Sequence, residues 1–371
     1  MNRARYIMIG GFLGAGKTTT IGKFAHWLTA KGLKVGLITN DQGSGLVDSA
    51  LGRAGRFSVE EIPGGCFCCR FDSLTEAAGR LTDATKPDVF LAEPVGSCTD
   101  LVATVSYPLQ QIYGDHYCVA PLSVLVDPIR AMRVLGLETG KKFSKNVHYI
   151  YRKQLEEAEN IVINKIDLVS AEQLALLRKG LSERFPEARI FEQSAREETH
   201  LEEWFQSVLE SEMKDPHFLD IDYQRYGEGE ALLGWLNCAV ELEGDEEVDG
   251  NDLLAELAEE LRTAISDAGG TVAHLKMTLT PLGDPYEIGA VNLTRDDGKP
   301  ELSHHLLEPI LDGEILLNMR VEMAPDALED VAQKALRNVL TAKHALAFRT
   351  THAEHFRPGM PMPTHRMSPP A

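Results

Sequence analysis

Tyr6-Ile7-Met8-Ile9-Gly10-Gly11-Phe12-Leu13-Gly14-Ala15-Gly16-Lys17-Thr18-Thr19 decides the fold of this chain. Tyr6–Ile9 reads as a short apolar strand, Gly11–Thr18 fits G-x-x-x-x-G-K-[ST], and Thr19 to Lys31 reads as a helix. A strand feeding a glycine-rich turn into a helix N-terminus points several backbone N–H groups at one spot, which suits a polyphosphate. The phosphate cradle expected here is the loop Gly11, Gly14, Ala15, Gly16 and its flanks. Lys17 then reaches the β- and γ-phosphates and the Thr18 hydroxyl ligates Mg²⁺. The competing reading is a chance glycine-rich turn between a strand and a helix.

A second motif selects the base. Ile161-Val162-Ile163 is an apolar run leading into Asn164-Lys165-Ile166-Asp167, an N-K-x-D pattern about 150 residues beyond the phosphate loop. An Asp placed there accepts two hydrogen bonds from the guanine N1–H and exocyclic amine. Adenine, with an acceptor at N1 and no amine at C2, leaves that carboxylate unpaired, a strongly discriminating mismatch. Ser194-Ala195, after the next strand Ile190-Phe191, is placed to back the base, although a helix-entry loop explains it nearly as well.

Gly64-Gly65-Cys66-Phe67-Cys68-Cys69 packs three of six cysteines into four residues. Met1-Asn2-Arg3-Ala4-Arg5 leads into the first strand with no cleavable apolar segment, so the reading is cytoplasmic. In that compartment a cysteine cluster points to metal or redox chemistry rather than disulfides. Three thiolates suit a soft cation such as Zn²⁺ or Cu(I) and leave one position of a tetrahedral site open. A redox pair and inert buried cysteines are the alternatives. Cys98 either adds to that shell or fills a core position, the latter preferred; Cys118 and Cys238 read as core residues.

G-G-F-L-G-A-G-K-T-T, G-G-C-F-C-C and N-K-I-D in this order resemble the CobW-type metallochaperone GTPases, relatives of nitrile hydratase activators and zinc-transfer GTPases, over roughly residues 5–210. The resemblance implies a SIMIBI-class P-loop GTPase that binds Mg·GTP and a transition metal (zinc, or cobalt or iron) and delivers the metal to a client metalloprotein. By position, Gly14, Gly16, Lys17, Thr18 and Thr19 match the family's phosphate loop, and Cys66, Cys68 and Cys69 its metal-binding cysteines. Asn40, Asp41 and Asp48 fall on its switch segment, Asp41 standing for a glutamate. The family's E-T-T-G is here Glu93-Pro94-Val95-Gly96. The implied machinery is therefore Lys17, Asp41 and Glu93 for catalysis, with Thr18, Asp41 and Glu93 on Mg²⁺ and Gly96 donating its N–H to the γ-phosphate. Both threonine hydroxyls are missing and Pro94 removes a backbone donor, which predicts slow hydrolysis. The alternatives are a GTP-switched scaffold or assembly factor, and a metal sensor or store with little turnover.

The rest of the chain frames these motifs. Apolar strands at Val35–Thr39, Val89–Ala92, Ser123–Val126, Ile161–Ile163 and Ile190–Phe191 alternate with helical patterns, which predicts an α/β fold with a mostly parallel sheet covered on both faces. Asp127-Pro128 ends one strand at the edge where ligands bind. Residues 1–211 are expected to form the GTPase domain, 212–230 a polar linker and 231–345 a smaller α+β domain of ferredoxin-like type, from a β-α-β-β-β-α pattern. The His/Pro/Met-rich stretch 346–371 reads as a disordered tail, whose His352, His355 and His365, with His344 just before it, offer at most a weak metal site. His304-His305 reads as a surface pair. With 371 residues, 43% hydrophobic and 25% charged, the composition is that of an ordinary globular protein. A net charge of −19 argues against nucleic acid, and no apolar run suits a membrane. A homo-oligomer is compatible with everything above.

Overall fold

The computed structural model describes residues 3–40, 57–62, 64–214, 216–284 and 286–368. The described residues form two compact units. One comprises those up to Gly229 together with the segment from Met360 onward; the other comprises Glu230–Gly359.

The first unit is an eight-stranded sheet in which the strand pairings among the described residues run parallel. Its strands are β1 (Ala4–Gly11), β2 (Val35–Asn40), β3 (Ser58–Ile62), β4 (Val89–Glu93), β5 (Tyr117–Val119), β6 (Ser123–Val126), β7 (Asn160–Ile163) and β8 (Arg189–Glu192), in the order β3-β2-β4-β1-β6-β7-β8, with β5 beside β1. Residues 5–8 of β1 pair with β4, while Ile9–Gly11 pair with β6. The chain therefore moves to opposite sides of β1, and the crevice at its carboxyl end is where such sheets bind ligands. All five strand segments expected after the phosphate-loop strand are present. β3 and β5 were not expected: Ser58-Val59-Glu60-Glu61-Ile62 carries two acids and β5 has only three residues, so neither has a strong strand pattern.

Helix α1 (Lys17–Ala30) follows from Ile21, Phe24, Ala25 and Leu28, all buried at helical spacing on one face. That face meets α7 (Leu201–Glu210), where Phe24 and Phe205 stack at 4.2 Å and Trp204 lies beside them. The Trp204 indole N–H donates to Ser123 Oγ at 3.1 Å, so its burial leaves no polar atom unpaired. Between these lie α2 (Phe71–Thr85), α3 (Tyr107–Tyr113, after a π-helical turn), α4 (Pro128–Val134), α5 (Lys145–Glu157) and α6 (Ala171–Arg184).

The stretch expected as a polar linker packs on this unit instead. Met213, Leu219 and Tyr226 are buried, and Met213 N–H donates to Val119 O at 2.9 Å. Its acidic and glycine residues hid three spaced apolar anchors. α8 (Tyr223–Ala231) continues it.

The second unit is a six-stranded antiparallel sheet of β9 (Leu233–Val248), β10 (Thr271–Pro281), β11 (Gly289–Leu293), β12 (Glu301–His304), β13 (Ile310–Glu322) and β14 (Ala347–Phe356), in the order β12-β11-β10-β13-β9-β14. Helices α9 (Gly250–Asp267) and α10 (Pro325–Leu336) pack against each other and on the sheet. Without the β11–β12 hairpin, the path β9-α9-β10-β13-α10-β14 is a split βαβ pair, the ferredoxin-like arrangement. Residues 347–356, placed by the sequence in a disordered tail, are the fourth strand of that motif and pair with β9. Their exposed edge position lets them be polar, which is what made them read as disordered. Asp249 caps α9, accepting from Asn251 N at 2.8 Å and Asp252 N at 3.1 Å. Asp249→Ala is expected to cost about 1 kcal/mol, read as a lowered unfolding midpoint with nucleotide affinity unchanged. No helix among the described residues is long and apolar enough to cross a membrane.

Candidate nucleotide and metal site

The phosphate loop is shaped from behind by three side chains. Arg130 Nη1 donates to Leu13 O at 2.6 Å, Lys165 Nζ to Gly14 O at 2.8 Å, and Asn164 Nδ2 to Ala15 O at 2.9 Å. In a trans peptide the next N–H points opposite to each carbonyl. Drawing three consecutive carbonyls to one side thus turns the amides of Gly14 and Gly16 to the other, while Ala15 N–H closes a turn onto Phe12 O. Gly16 adopts a left-handed conformation at φ 91° and starts α1 with no side-chain cap. Lys17 is buried and its ammonium donates to Gly11 O at 3.0 Å, folded back over the loop. Thr19 follows in the first turn of α1.

Asn164 is a brace between loops. Its side chain is buried and joins Ala15 O to Ala195 N, which donates to Asn164 Oδ1 at 3.1 Å. Asp167 is exposed at this edge, and the Ser194 hydroxyl donates to its carboxylate. The structure thus brings Gly14–Thr18, Asn164–Asp167 and Ser194-Ala195 to one place. Asp127, at the end of β6, caps α4 through Arg130 N at 3.0 Å and pairs with Lys165 at 3.2 Å. Arg130 had no motif to announce it. A buried arginine in a seven-residue helix shows its purpose only through its distant partner Leu13.

Thr18 Oγ1 donates to Glu93 Oε1 at 3.1 Å, at the mouth of the loop. A hydroxyl and a carboxylate side by side there form the hard-oxygen pair that Mg²⁺ takes beside phosphates. Gly96 lies against the phosphate loop so closely that a Cβ would stand 3.0 Å from Leu13 N. Asp41 and Asp48 lie outside the described residues.

The cysteine cluster sits between β3 and α2. Cys69 N–H and Arg70 N–H both donate to Cys66 O, at 3.0 and 2.9 Å, which folds the run into one tight turn. Sγ–Sγ distances are 2.9 Å for Cys66–Cys68, 3.2 Å for Cys66–Cys69 and 3.7 Å for Cys68–Cys69. Cys66 and Cys68 are buried; Cys69 is partly exposed. Thiol donors from Cys68, Cys69 and Cys98 hold the Cys66 sulfur well below the usual thiol range. Its hydrogen bond to Cys66 and burial push Cys68 up, and the hydrogen bond to Cys66 carries Cys69 to about 11. An incoming divalent ion would displace the protons that such a cluster carries, since thiols ligate as thiolates. The described residues hold no other group of three or more metal-ligating side chains this close.

The turn is tied to the sheet by Asn40 at the end of β2, whose amide donates to Ile62 O at 2.9 Å and Gly65 O at 2.6 Å. The C-terminal segment, expected to be disordered, lies on the other side. Met362 N–H donates to Cys69 Sγ at 3.2 Å, Thr364 N–H to Cys68 O at 2.8 Å and Met367 N–H to Ala103 O at 2.9 Å. His365 stands edge-on to Phe71, and Arg366 pairs with buried Asp100 at 2.8 Å. The tail histidines do not gather. His344 meets Glu256 at 2.6 Å, and His355 meets Asp326 and Glu329 at 3.2 and 3.0 Å.

Residues 5–192 match the family described as CobW/HypB/UreG, nucleotide-binding domain. The chain is 30% identical over 181 residues to the zinc chaperone YeiR of Escherichia coli, covering 46% of this chain and 49% of that protein. It is 29% identical over 198 residues to the zinc chaperone CobW of Sinorhizobium sp, covering 48% and 55%. This chain thus spans about half the length of the curated relatives it matches. Among solved structures, HypB from Helicobacter pylori in complex with nickel aligns at a TM-score of 0.42 and 22% identity, over 58% of this chain and 92% of that one. Zn(II)-bound YjiA GTPase from E. coli aligns at 0.34 and 16%, over 91% and 99%. With half its length matched by one domain family, this chain belongs to the CobW/HypB/UreG family of nucleotide-binding proteins.

Proposed function

We propose that this protein is a GTP-hydrolysing metallochaperone that carries zinc on Cys66, Cys68 and Cys69 and passes it to a client protein according to its nucleotide state. The zinc chaperones among its relatives support the cargo. The observation that supports the reading is the hold of Asn40, the last residue of β2, on the turn before the first cysteine. Asn40 leads into the switch segment and holds the carbonyl of Gly65, one residue from the first ligand. Asp167 and Ser194-Ala195 would take the guanine. Lys17 and the amides of Gly14 and Gly16 would take the phosphates, while Thr18 and Glu93 would hold Mg²⁺, which neutralises phosphate charge when bound. A switch segment ordered by GTP pulls on Asn40, and through Gly65 alters the spacing of the sulfurs. Such coupling is reciprocal: if GTP tightens zinc, zinc tightens GTP equally.

The test is an anaerobic Zn²⁺ competition titration with GDP and with a non-hydrolysable GTP analogue, beside a variant with all three cysteines changed to serine. A roughly 5- to 150-fold difference between nucleotides, absent from the variant, is the expected result. Zinc binding that ignores nucleotide would instead indicate a sensor or store. No zinc binding would leave a GTP-switched scaffold.

A further inference from the structure

The segment from Met360 onward belongs to the first unit and crosses the cysteine turn. We infer that residues 362–368 are a strap closed over Cys68 and Cys69, fastened by the Arg366–Asp100 ion pair, and that it lifts when an ion enters or leaves the cluster. The inference rests on the proposed metallochaperone function and adds a gate to it.

The strap grips the turn through polar contacts. Met362 N–H donates to Cys69 Sγ at 3.2 Å, Thr364 N–H to Cys68 O at 2.8 Å and the Thr364 hydroxyl to Cys69 O at 3.3 Å. Pro361 and Pro363, on either side of Met362, have no N–H and fix φ. The segment therefore presents its donors at Met362 and Thr364, and it has fewer conformations to lose on closing. Pro361 is buried and forms the base from which the strap extends. The Met362 side chain, by contrast, is 76% exposed. A segment locked into the core would bury so large an apolar group. One held by a few hydrogen bonds at the surface opens locally at small cost.

The far end is fastened by charge. Arg366 Nε donates to Asp100 Oδ2 and its Nη2 to Leu219 O, both at 2.8 Å, while Met367 N–H donates to Ala103 O at 2.9 Å. Asp100 is 1% exposed and also accepts from the Tyr223 hydroxyl at 2.6 Å. A charge-assisted bond to a buried carboxylate is the strongest single contact the strap makes. Its placement matters because Cys66 and Cys68 are buried and Cys69 is partly exposed. A metal acceptor has to reach the ion from the side of Cys69, where Met362 and Thr364 already lie.

The experiment gives the reduced, metal-free, full-length chain a short pulse of iodoacetamide and reads the label at each cysteine by mass spectrometry. Arg366→Ala is expected to speed alkylation of Cys69 roughly 10- to 100-fold, the worth of one hydrogen bond to a charged group. Arg366→Lys should restore part of the protection, since it keeps the charge but not the second bond to Leu219. Cys238, buried in the second unit, is the internal reference. No acceleration at Cys69, or equal acceleration at Cys238, overturns the strap. Hydrogen exchange of the wild type needs no variant: the Met362 and Thr364 amides are expected to be protected, and free exchange at both would also overturn it. Loaded with zinc, Arg366→Ala should release the ion to a chromogenic chelator faster by the same factor as its alkylation. Equal release from both proteins overturns the gate and leaves zinc delivery standing. A wild-type chain that binds no zinc overturns the metallochaperone reading and the gate with it.

Discussion

Gly16→Ala is expected to abolish guanine nucleotide binding, with a loss of affinity on the order of 100-fold or more. Gly16 sits at φ 91°, and a Cβ there would stand 2.4 Å from Asn164 Nδ2. The left-handed conformation alone costs an alanine about 1–2 kcal/mol. Relief of the clash requires Asn164 to move, and Asn164 is buried with hydrogen bonds to Ala15 O and from Ala195 N. Each buried partner left unpaired costs about 1–3 kcal/mol. A single methyl group therefore disturbs the phosphate loop and the base-reading loop together. Gly22 is the control, because it lies inside α1 and an added Cβ meets nothing within 4 Å. Gly22→Ala should leave affinity unchanged and gain about 0.5–1 kcal/mol of stability. Fluorescent GDP titration with thermal unfolding of both variants decides the matter. Near-normal affinity in Gly16→Ala would show that the loops are not braced as described.

Glu157→Gln is expected to remove a large pH dependence of stability. Glu157 is buried at the end of α5, accepting from Thr99 Oγ1 at 3.0 Å and Val102 N at 3.2 Å. Burial, with the nearby Asp100 charge, pushes its carboxyl up to about 8. Unfolded, the group titrates near 4.3. Between about pH 4.3 and 8 the folded chain therefore keeps a proton that the unfolded chain has lost. The stability this supplies is whole below the unfolded value and falls as pH rises through the folded one. At about 1.4 kcal/mol per pH unit, the loss approaches roughly 4–5 kcal/mol by pH 8. Gln carries no such charge, and its amide can donate to the Thr99 hydroxyl, which is able to accept. Urea midpoints should show the variant gaining on the wild type steadily from pH 5 to pH 8.5. A constant difference would mean that Glu157 is ionised in the folded protein throughout.

Glu157 also illustrates what a sequence conceals. Its position in α5 has the look of a charged helix terminus, and only the fold buries it beside Asp100 and Thr99. The C-terminal segment is a second case. Pro, Met and His between residues 357 and 368 have no strand or helix period, yet Thr364 bonds the backbone of Cys68 nearly 300 positions earlier. Such a contact has no local propensity to betray it. Arg130 and Gln154 were missed for the same reason, each acting on carbonyls of a loop remote in the chain.

The residues themselves determined the parallel α/β core, the glycine loop at its first strand, the N-K-x-D segment at the end of another, and the clustering of three cysteines. Each is a short-range pattern whose chemistry depends on neighbours a few positions apart. The three-dimensional structure alone decided that Asn164 and Lys165 shape the phosphate loop, that Asn40 holds the turn before Cys66, and that the C-terminal segment lies against Cys68 and Cys69. Those arrangements arise when strands distant in sequence pair and bring buried polar groups together. A buried polar atom must find a partner wherever the fold places one, however far away along the chain that partner lies.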